Sequence, residues 1–371
     1  MSSDWSSDVC SSDLKGGGID VFDADGSHTR QISVQNGLSN NSVISLHEHD
    51  DGSIWVGVDG KGIDIISPDY NTIRNFPKDF NIPNKIDFAS VYRILKSSDQ
   101  RIYLGTSGYG VILIELDKRT GSLPINCEQV VLDTNMDFPS QQRQIVYAMA
   151  EEKPGVIWIG TRGLGLFRYN TITKRVIKHY TTNSRPGLIG NDDIISLFAD
   201  RNGLIWVGSS NGLFNLLPVS ADSVTTSGMT VQSDLSGVSV HSIQDDREGN
   251  LWVTTNQGLS LIDLKRENVQ SFNTNDGLIN YEYSDGASFF DPNDSLLYVG
   301  GTVGVDIIRT NRIKFSSYFP PLAINRLLIR NIPVEVNDNE VLTSRINLQK
   351  NLYLKHNQNT FTFYVSPLVY W

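Results

Sequence analysis

The sequence predicts an all-β fold: a seven-bladed β-propeller of four-stranded blades, the first blade incomplete, followed by a truncated β-sandwich. Three observations predict it. An aromatic-centred strand recurs six times, its recurrences are spaced like blades, and a glycine-led strand follows each one.

The recurring strand reads Ile54-Trp55-Val56-Gly57, Ile102-Tyr103-Leu104-Gly105, Ile157-Trp158-Ile159-Gly160, Ile205-Trp206-Val207-Gly208, Leu251-Trp252-Val253-Thr254 and Leu297-Tyr298-Val299-Gly300. Its aromatics lie 48, 55, 48, 46 and 46 residues apart, the period of a propeller blade. One aromatic per repeat at a fixed register reads as core, because aromatic rings bury so much area. Nine positions before it stand Leu46, Ile94, Met149, Leu197, Ile243 and Phe289. Twelve before it stand Val43, Val91, Val146, Ile194 and Val240, with Gly286 the exception. An odd separation on a strand places these two rows on opposite faces, so both faces of the innermost strand are expected to be covered. Ten before the aromatic are Ser45, Ala148, Ser196, Ser242 and Ser288, small enough to admit a neighbour's side chain. Arg93 departs from that pattern.

Between these two strands lie Asp50-Asp51-Gly52, Asp200-Arg201-Asn202-Gly203 and Asp246-Arg247-Glu248-Gly249, which read as hairpin turns. A calcium loop needs more oxygen ligands and a terminal acid at a fixed offset. The third strand begins at Gly62, Gly110, Gly165, Gly212, Gly258 and Gly304, and Gly18-Ile19-Asp20-Val21 fits the same slot in a seventh, N-terminal unit. Outer strands follow in several units, as at 72–76 and 175–180.

The organisation reads as a non-native leader over 1–14, a propeller over 15–317 and the N-terminal part of a sandwich over 318–371. The leader repeats Ser-Ser-Asp three times without periodicity, looks like translated sequencing-adapter read-through, and is set aside as a fusion scar would be. Excluding it leaves Cys127 as the only cysteine, so no intramolecular disulfide is expected. Pro320-Pro321 breaks the register, and strands are expected at 322–329, 331–336 and 360–365.

The net charge of −10, without a Lys/Arg stripe, argues against nucleic acid and against direct contact with an anionic membrane. No apolar run approaches the ~20 residues a membrane span needs. Six histidines are scattered through the repeats, and only His47-Glu48-His49 could begin a metal site; no third ligand is evident, so no metal or cofactor is expected. No nucleophile elbow or phosphate loop is present, and no catalytic residue is assigned.

The run from Asn36-Gly37-Leu38-Ser39-Asn40-Asn41 through Ser42-Val43-Ile44-Ser45-Leu46, followed by Asp51-Gly52-Ser53-Ile54-Trp55-Val56-Gly57, resembles the two-component regulator propeller repeat. Echoes stand at 275–278 and 190–197. The tail from Leu354 to Phe363, with Pro367 and Tyr370, resembles the opening of the Tyr-rich β-sandwich that follows such propellers. The resemblance implies the periplasmic sensor region of a bacterial hybrid two-component system. It further implies an oligosaccharide ligand, a missing upstream propeller, a homodimer formed through the full sensor, and a membrane helix and histidine kinase further downstream.

Loops that enter the innermost strand and loops that join the second and third strands are expected to share one rim. They offer Asn41, Lys61, Tyr109, Arg143, Arg162, Asn191, Asn211, Asn256, Gln257, Tyr281 and Tyr283 as candidate ligand contacts. Planar polar groups with aromatic faces suit a sugar, and Arg143 or Arg162 could grip a carboxylate or sulfate bidentately. The insert 117–143 is expected to reach farthest. Two competing classes are a propeller lyase or glycosidase acting on a glycan and a protein-docking propeller; turnover, or retention of a protein without sugar binding, would separate them.

Overall fold

The computed structural model describes residues 16–23, 26–83, 86, 89–117, 119–121, 123–132, 144–184, 187–220, 223–226, 235–265, 268–313, 322–337 and 341–367. The leader and the whole 133–143 stretch of the insert, Arg143 included, lie outside the described residues. The chain divides into two compact units, Met1–Ile313 and Lys314–Trp371.

The first unit is a β-propeller of antiparallel sheets whose strands follow chain order from the inside outward, the third and fourth sheets being joined by a short pairing of Gln144 with Gly108 and Ile145 with Ser107. Among the described residues the first sheet holds β1 (Ile19–Phe22) and β2 (His28–Ile32). The second holds β3 (Val43–Glu48), β4 (Ile54–Val58), β5 (Gly62–Ile66) and β6 (Ile73–Phe76), and the third β7 (Val91–Lys96), β8 (Ile102–Gly108), β9 (Val111–Leu116) and β10 (Pro124–Val130). The fourth comprises β11 (Gln144–Lys153), β12 (Val156–Thr161), β13 (Leu166–Asn170) and β14 (Arg175–Tyr180). In the fifth are β15 (Ile194–Ala199), β16 (Ile205–Ser209), β17 (Gly212–Pro218) and β18 (Val224–Thr225). The sixth has β19 (Val240–Asp245), β20 (Asn250–Thr255), β21 (Gly258–Asp263) and β22 (Asn268–Phe272); the last has β23 (Tyr283–Asp291), β24 (Leu296–Gly301) and β25 (Val305–Arg309). The innermost strands β3, β7, β11, β15, β19 and β23 touch in succession, and β15 also reaches β23. Inner strands two sheets apart can meet only if the row curves about an axis.

Each core cluster spans two consecutive sheets. Trp55 packs with Val91, Ile94, Ile102 and Leu104 of the next sheet, and Tyr103 with Val146, Met149, Ile157 and Ile159. Trp158 meets Ile194, Leu197, Ile205 and Val207, and Trp206 meets Val240, Ile243, Leu251 and Val253. The recurring aromatic is therefore the wedge that fastens one sheet to its successor.

One expectation is corrected here. The rows nine and twelve before the aromatic share a face. Val43 pairs with Val58 and Leu46 with Val56, partners two apart, because a bulge at Ile44 absorbs one residue of the count. The same shift recurs at Tyr92, Tyr147, Ile195 and His241. The opposite face carries the small residues, pressed against the next sheet: Ser45 Oγ donates to Val91 O at 2.8 Å and Ser196 Oγ to Val240 O at 3.0 Å. In the second sheet a side chain is excluded two residues after the aromatic, since a Cβ on Gly57 would stand 2.1 Å from Ser45 Oγ and 2.4 Å from Val91 O, whereas the sixth sheet accommodates Thr254 there, hydrogen-bonded to Ser242.

The hairpin acids are structural. Asp200 accepts from Asn202 N, Leu204 N and Trp206 Nε1, and Asp246 from Glu248 N, Asn250 N and Trp252 Nε1. In the fourth sheet Glu152 takes the Trp158 indole N–H at 2.9 Å and pairs bidentately with the fully buried Arg168, at 2.8 and 2.7 Å.

In the second unit, β26 (Leu322–Ile329) pairs with β27 (Ile332–Pro333) and β28 (Phe361–Pro367) around Leu327, Ile329, Val341 and Leu342.

Candidate functional site

The same hydrogen bond builds one edge of five sheets. The residue that opens the turn between the second and third strands donates its N–H to the carbonyl at the start of the innermost strand. The pairs are Asp59 to Ser42 (3.0 Å), Ser107 to Ser90 (2.9 Å), Arg162 to Ile145 (3.0 Å), Ser210 to Asp193 (3.1 Å) and Asn256 to Ser239 (3.2 Å). The two loop sets therefore lie side by side, as one rim requires. Neighbouring sheets are stitched at that edge by the glycine that starts the third strand. Gly18 N donates to Asn41 O, Gly62 N to Ala89 O, Gly110 N to Gln144 O and Gly165 N to Asp192 O, all four glycines at positive φ.

This geometry sorts the sequence candidates. Asn41 Oδ1 accepts from Val34 N at 2.7 Å, Asn191 Oδ1 from Asp193 N at 2.6 Å, and Asn256 Oδ1 from Ser239 N at 3.0 Å. These side chains hold loops. Tyr109 is half-buried against the core between the second and third sheets, and its carbonyl accepts from Gln129 Nε2. Tyr283 does not reach the rim surface: it is 2% exposed, its hydroxyl donates to Asp306 Oδ2 at 2.9 Å, and burial beside that carboxylate pushes its phenol far up. Lys61, Arg162, Asn211, Gln257 and Tyr281 are exposed and available to a ligand. Lys61 also borders a cleft of about 500 Å³ with Leu38, Ser39, Ile73, Asn75 and Asp79.

The structure adds residues that the loop argument missed. Each bulge re-aims a side chain at the inner end of the rim. In the third and fourth sheets these are Tyr92 and Tyr147, whose rings meet edge to face with centroids 4.8 Å apart at 73°. Arg162 Nη1 donates to the Tyr147 hydroxyl at 3.4 Å. Burial, with Tyr147 and Asp59 close by, raises the Tyr92 phenol above its usual range, while Ser107 and Arg162 act the other way. Asp59 is itself held by Ser90 Oγ. Two phenols, a guanidinium and a serine thus converge on one spot, half-buried and polar, an arrangement that can stack on a ring and donate to hydroxyls or an anion. The equivalent residue of the sixth sheet, His241, pairs through Nδ1 with Asp285 of the seventh at 2.5 Å. A signal was present in the sequence: the residue eleven before each aromatic is Ile, Tyr, Tyr, Ile, His and Ala in turn, variable inside an otherwise fixed frame.

Residues 37–60, 187–211 and 234–257 match the two-component regulator propeller family. Over 405 aligned residues the chain is 29% identical to Histidine kinase P4 of Formosa agariphila, an alignment covering 93% of this chain and 28% of that relative. The fold matches the solved extracellular domain named for the hybrid two component system BT3049 of B. thetaiotaomicron, with TM-score 0.65 and 20% identity over 97% of this chain and 46% of the other. A second such domain, BT4673 of the same organism, gives TM-score 0.60 at 20% identity, covering 96% and 47%. The chain spans 28% of the length of its curated relative. Among the described residues no helix is long and apolar enough to cross a membrane.

Proposed function

We propose that this chain, which carries two-component regulator propeller repeats and is homologous to a histidine kinase, is the ligand-sensing propeller of a bacterial hybrid two-component system. It works outside the cytoplasm, takes an oligosaccharide at its rim and passes the binding event to a kinase beyond this segment. The observation that carries the reading is the 29% identity to a histidine kinase across nearly the whole chain. The Tyr92–Tyr147–Arg162 cluster supports a sugar as ligand, because aromatic faces beside planar donors match the alternating apolar and hydroxylated surfaces of a pyranose. An upstream propeller and a second copy of the sensor complete the signalling unit.

The test is calorimetry on the sensor with Arg162→Ala and Tyr92→Ala. Both side chains are partly exposed, so thermal unfolding should be unchanged while affinity for the recognised oligosaccharide falls about tenfold or more. Unchanged affinity in both variants would remove the cluster from the site.

A further inference from the structure

Arg93 occupies the position that the other sheets give to Ser45, Ala148, Ser196, Ser242 and Ser288. On β7 it follows the bulged Tyr92, and it pairs with Gly105, which offers no side chain to cover it. The row it belongs to lies against the next sheet, so an arginine there that is exposed on an innermost strand leaves that seam toward the central channel about which the strands succeed one another. Arg93 is exposed to solvent, yet the surrounding protein desolvates its guanidinium and draws it below its ordinary value. Desolvation is the single influence on the group, and no hydrogen bond or ion pair joins it to any described residue. Lys96 is paired with Asp50, and His47, held neutral by its own burial, feels Arg93 as a positive charge. A net-acidic protein thus keeps one uncompensated cation on the wall of its channel, where five related positions make do with a hydroxyl or a methyl group.

We propose that Arg93 is an anion-binding group of the central channel, placed to grip a carboxylate or sulfate in fork geometry beside the Tyr92–Tyr147 pair. The proposal rests on the sensor reading only in assigning that anion to an acidic sugar; the anion site itself stands independently.

Crystals of the chain soaked in selenate test the site. An anomalous peak within hydrogen-bond reach of the Arg93 guanidinium is expected in the wild type and absent in Arg93→Gln. No peak at saturating selenate, or a peak that survives in Arg93→Gln, overturns the proposal, whatever neutral oligosaccharides do. Arg93→Lys keeps the charge without the planar fork and is expected to bind selenate more weakly; it also serves if the glutamine variant does not fold. Titration with tetragalacturonate and its methyl ester then distinguishes the sources. A tenfold loss in Arg93→Gln confined to the acidic form assigns the anion to a glycan. A selenate site with no such loss assigns it to a free anion. Binding of the neutral ester without any selenate peak sinks this inference and leaves the sensor reading standing.

Discussion

Among the described residues, three of the four buried tryptophans hand their indole N–H to a carboxylate six residues earlier: Trp158 to Glu152, Trp206 to Asp200 and Trp252 to Asp246. Trp55 finds His49 at that position, with ring centroids 5.8 Å apart and its own Nε1 unpartnered. The acids were legible as turn residues, but their second task was not, because an indole partner becomes visible only when the hairpin closes. Arg168 was invisible for the same reason; nothing in its local sequence marks an arginine with no exposed surface. Removing Glu152 strands that buried charge, so Glu152→Ala should cost about 3–5 kcal/mol in urea unfolding, whereas Trp206→Ala should cost a similar ~3–5 kcal/mol through the cavity it leaves. His47 gives a pH signature. Burial, then His49, Lys96 and Arg93, lower its pKa from 6.5 to about 4. Folding therefore favours the neutral ring. That contribution is complete above pH 6.5 and is lost as pH falls toward 4, with a magnitude on the order of 3 kcal/mol or less. Unfolding midpoints measured between pH 7 and 4 should fall less steeply in His47→Phe than in the wild type; an identical acid decline in both would exclude His47 as its source.

At the scale of the strand and the turn, periodicity carried the reading far and then misled it in one place. The aromatic rows and the glycine-led third strand hold in sheet after sheet, and so does the glycine after the aromatic except in the sixth, where Thr254 takes its place and bonds Ser242. The assignment of the nine- and twelve-residue rows to opposite faces failed because counting by twos assumes an uninterrupted ladder, and a bulge removes one residue from the count. That bulge is also what brings Tyr92 and Tyr147 together, so the error and the missed site have one cause. The loop asparagines Asn41, Asn191 and Asn256 look like ligand groups in sequence and turn out to cap their own backbones, a role any Asn in a turn can fill. The tight face makes a sharp mutational contrast. A Cβ on Gly208 would lie 2.1 Å from Ser196 Oγ and 2.5 Å from Val240 Cγ1, so Gly208→Ala should destabilise by at least ~1–3 kcal/mol. Gly187, with no atom within 4 Å of its Cβ position and no positive φ, should accept Ala with no loss or a small gain of ~0.4–1 kcal/mol. Paired thermal melts of the two variants would read this directly.

Across the whole propeller, stability and recognition are assigned to different parts of each sheet. The fixed aromatic wedges and the small-residue face hold neighbouring sheets together, while the rim and the bulged inner positions vary from sheet to sheet without disturbing them. Substitutions at Arg162 or Tyr92 are therefore expected to alter binding and leave the fold intact, and those at Trp206 or Gly208 to do the reverse. The most direct measurement is isothermal titration of the sensor against a panel of oligosaccharides, with product analysis of the same mixtures. The account predicts saturable binding of an intact glycan by the wild type and weakened binding by Arg162→Ala. Repeated cleavage of the glycan, or affinity indifferent to every rim substitution, would contradict it.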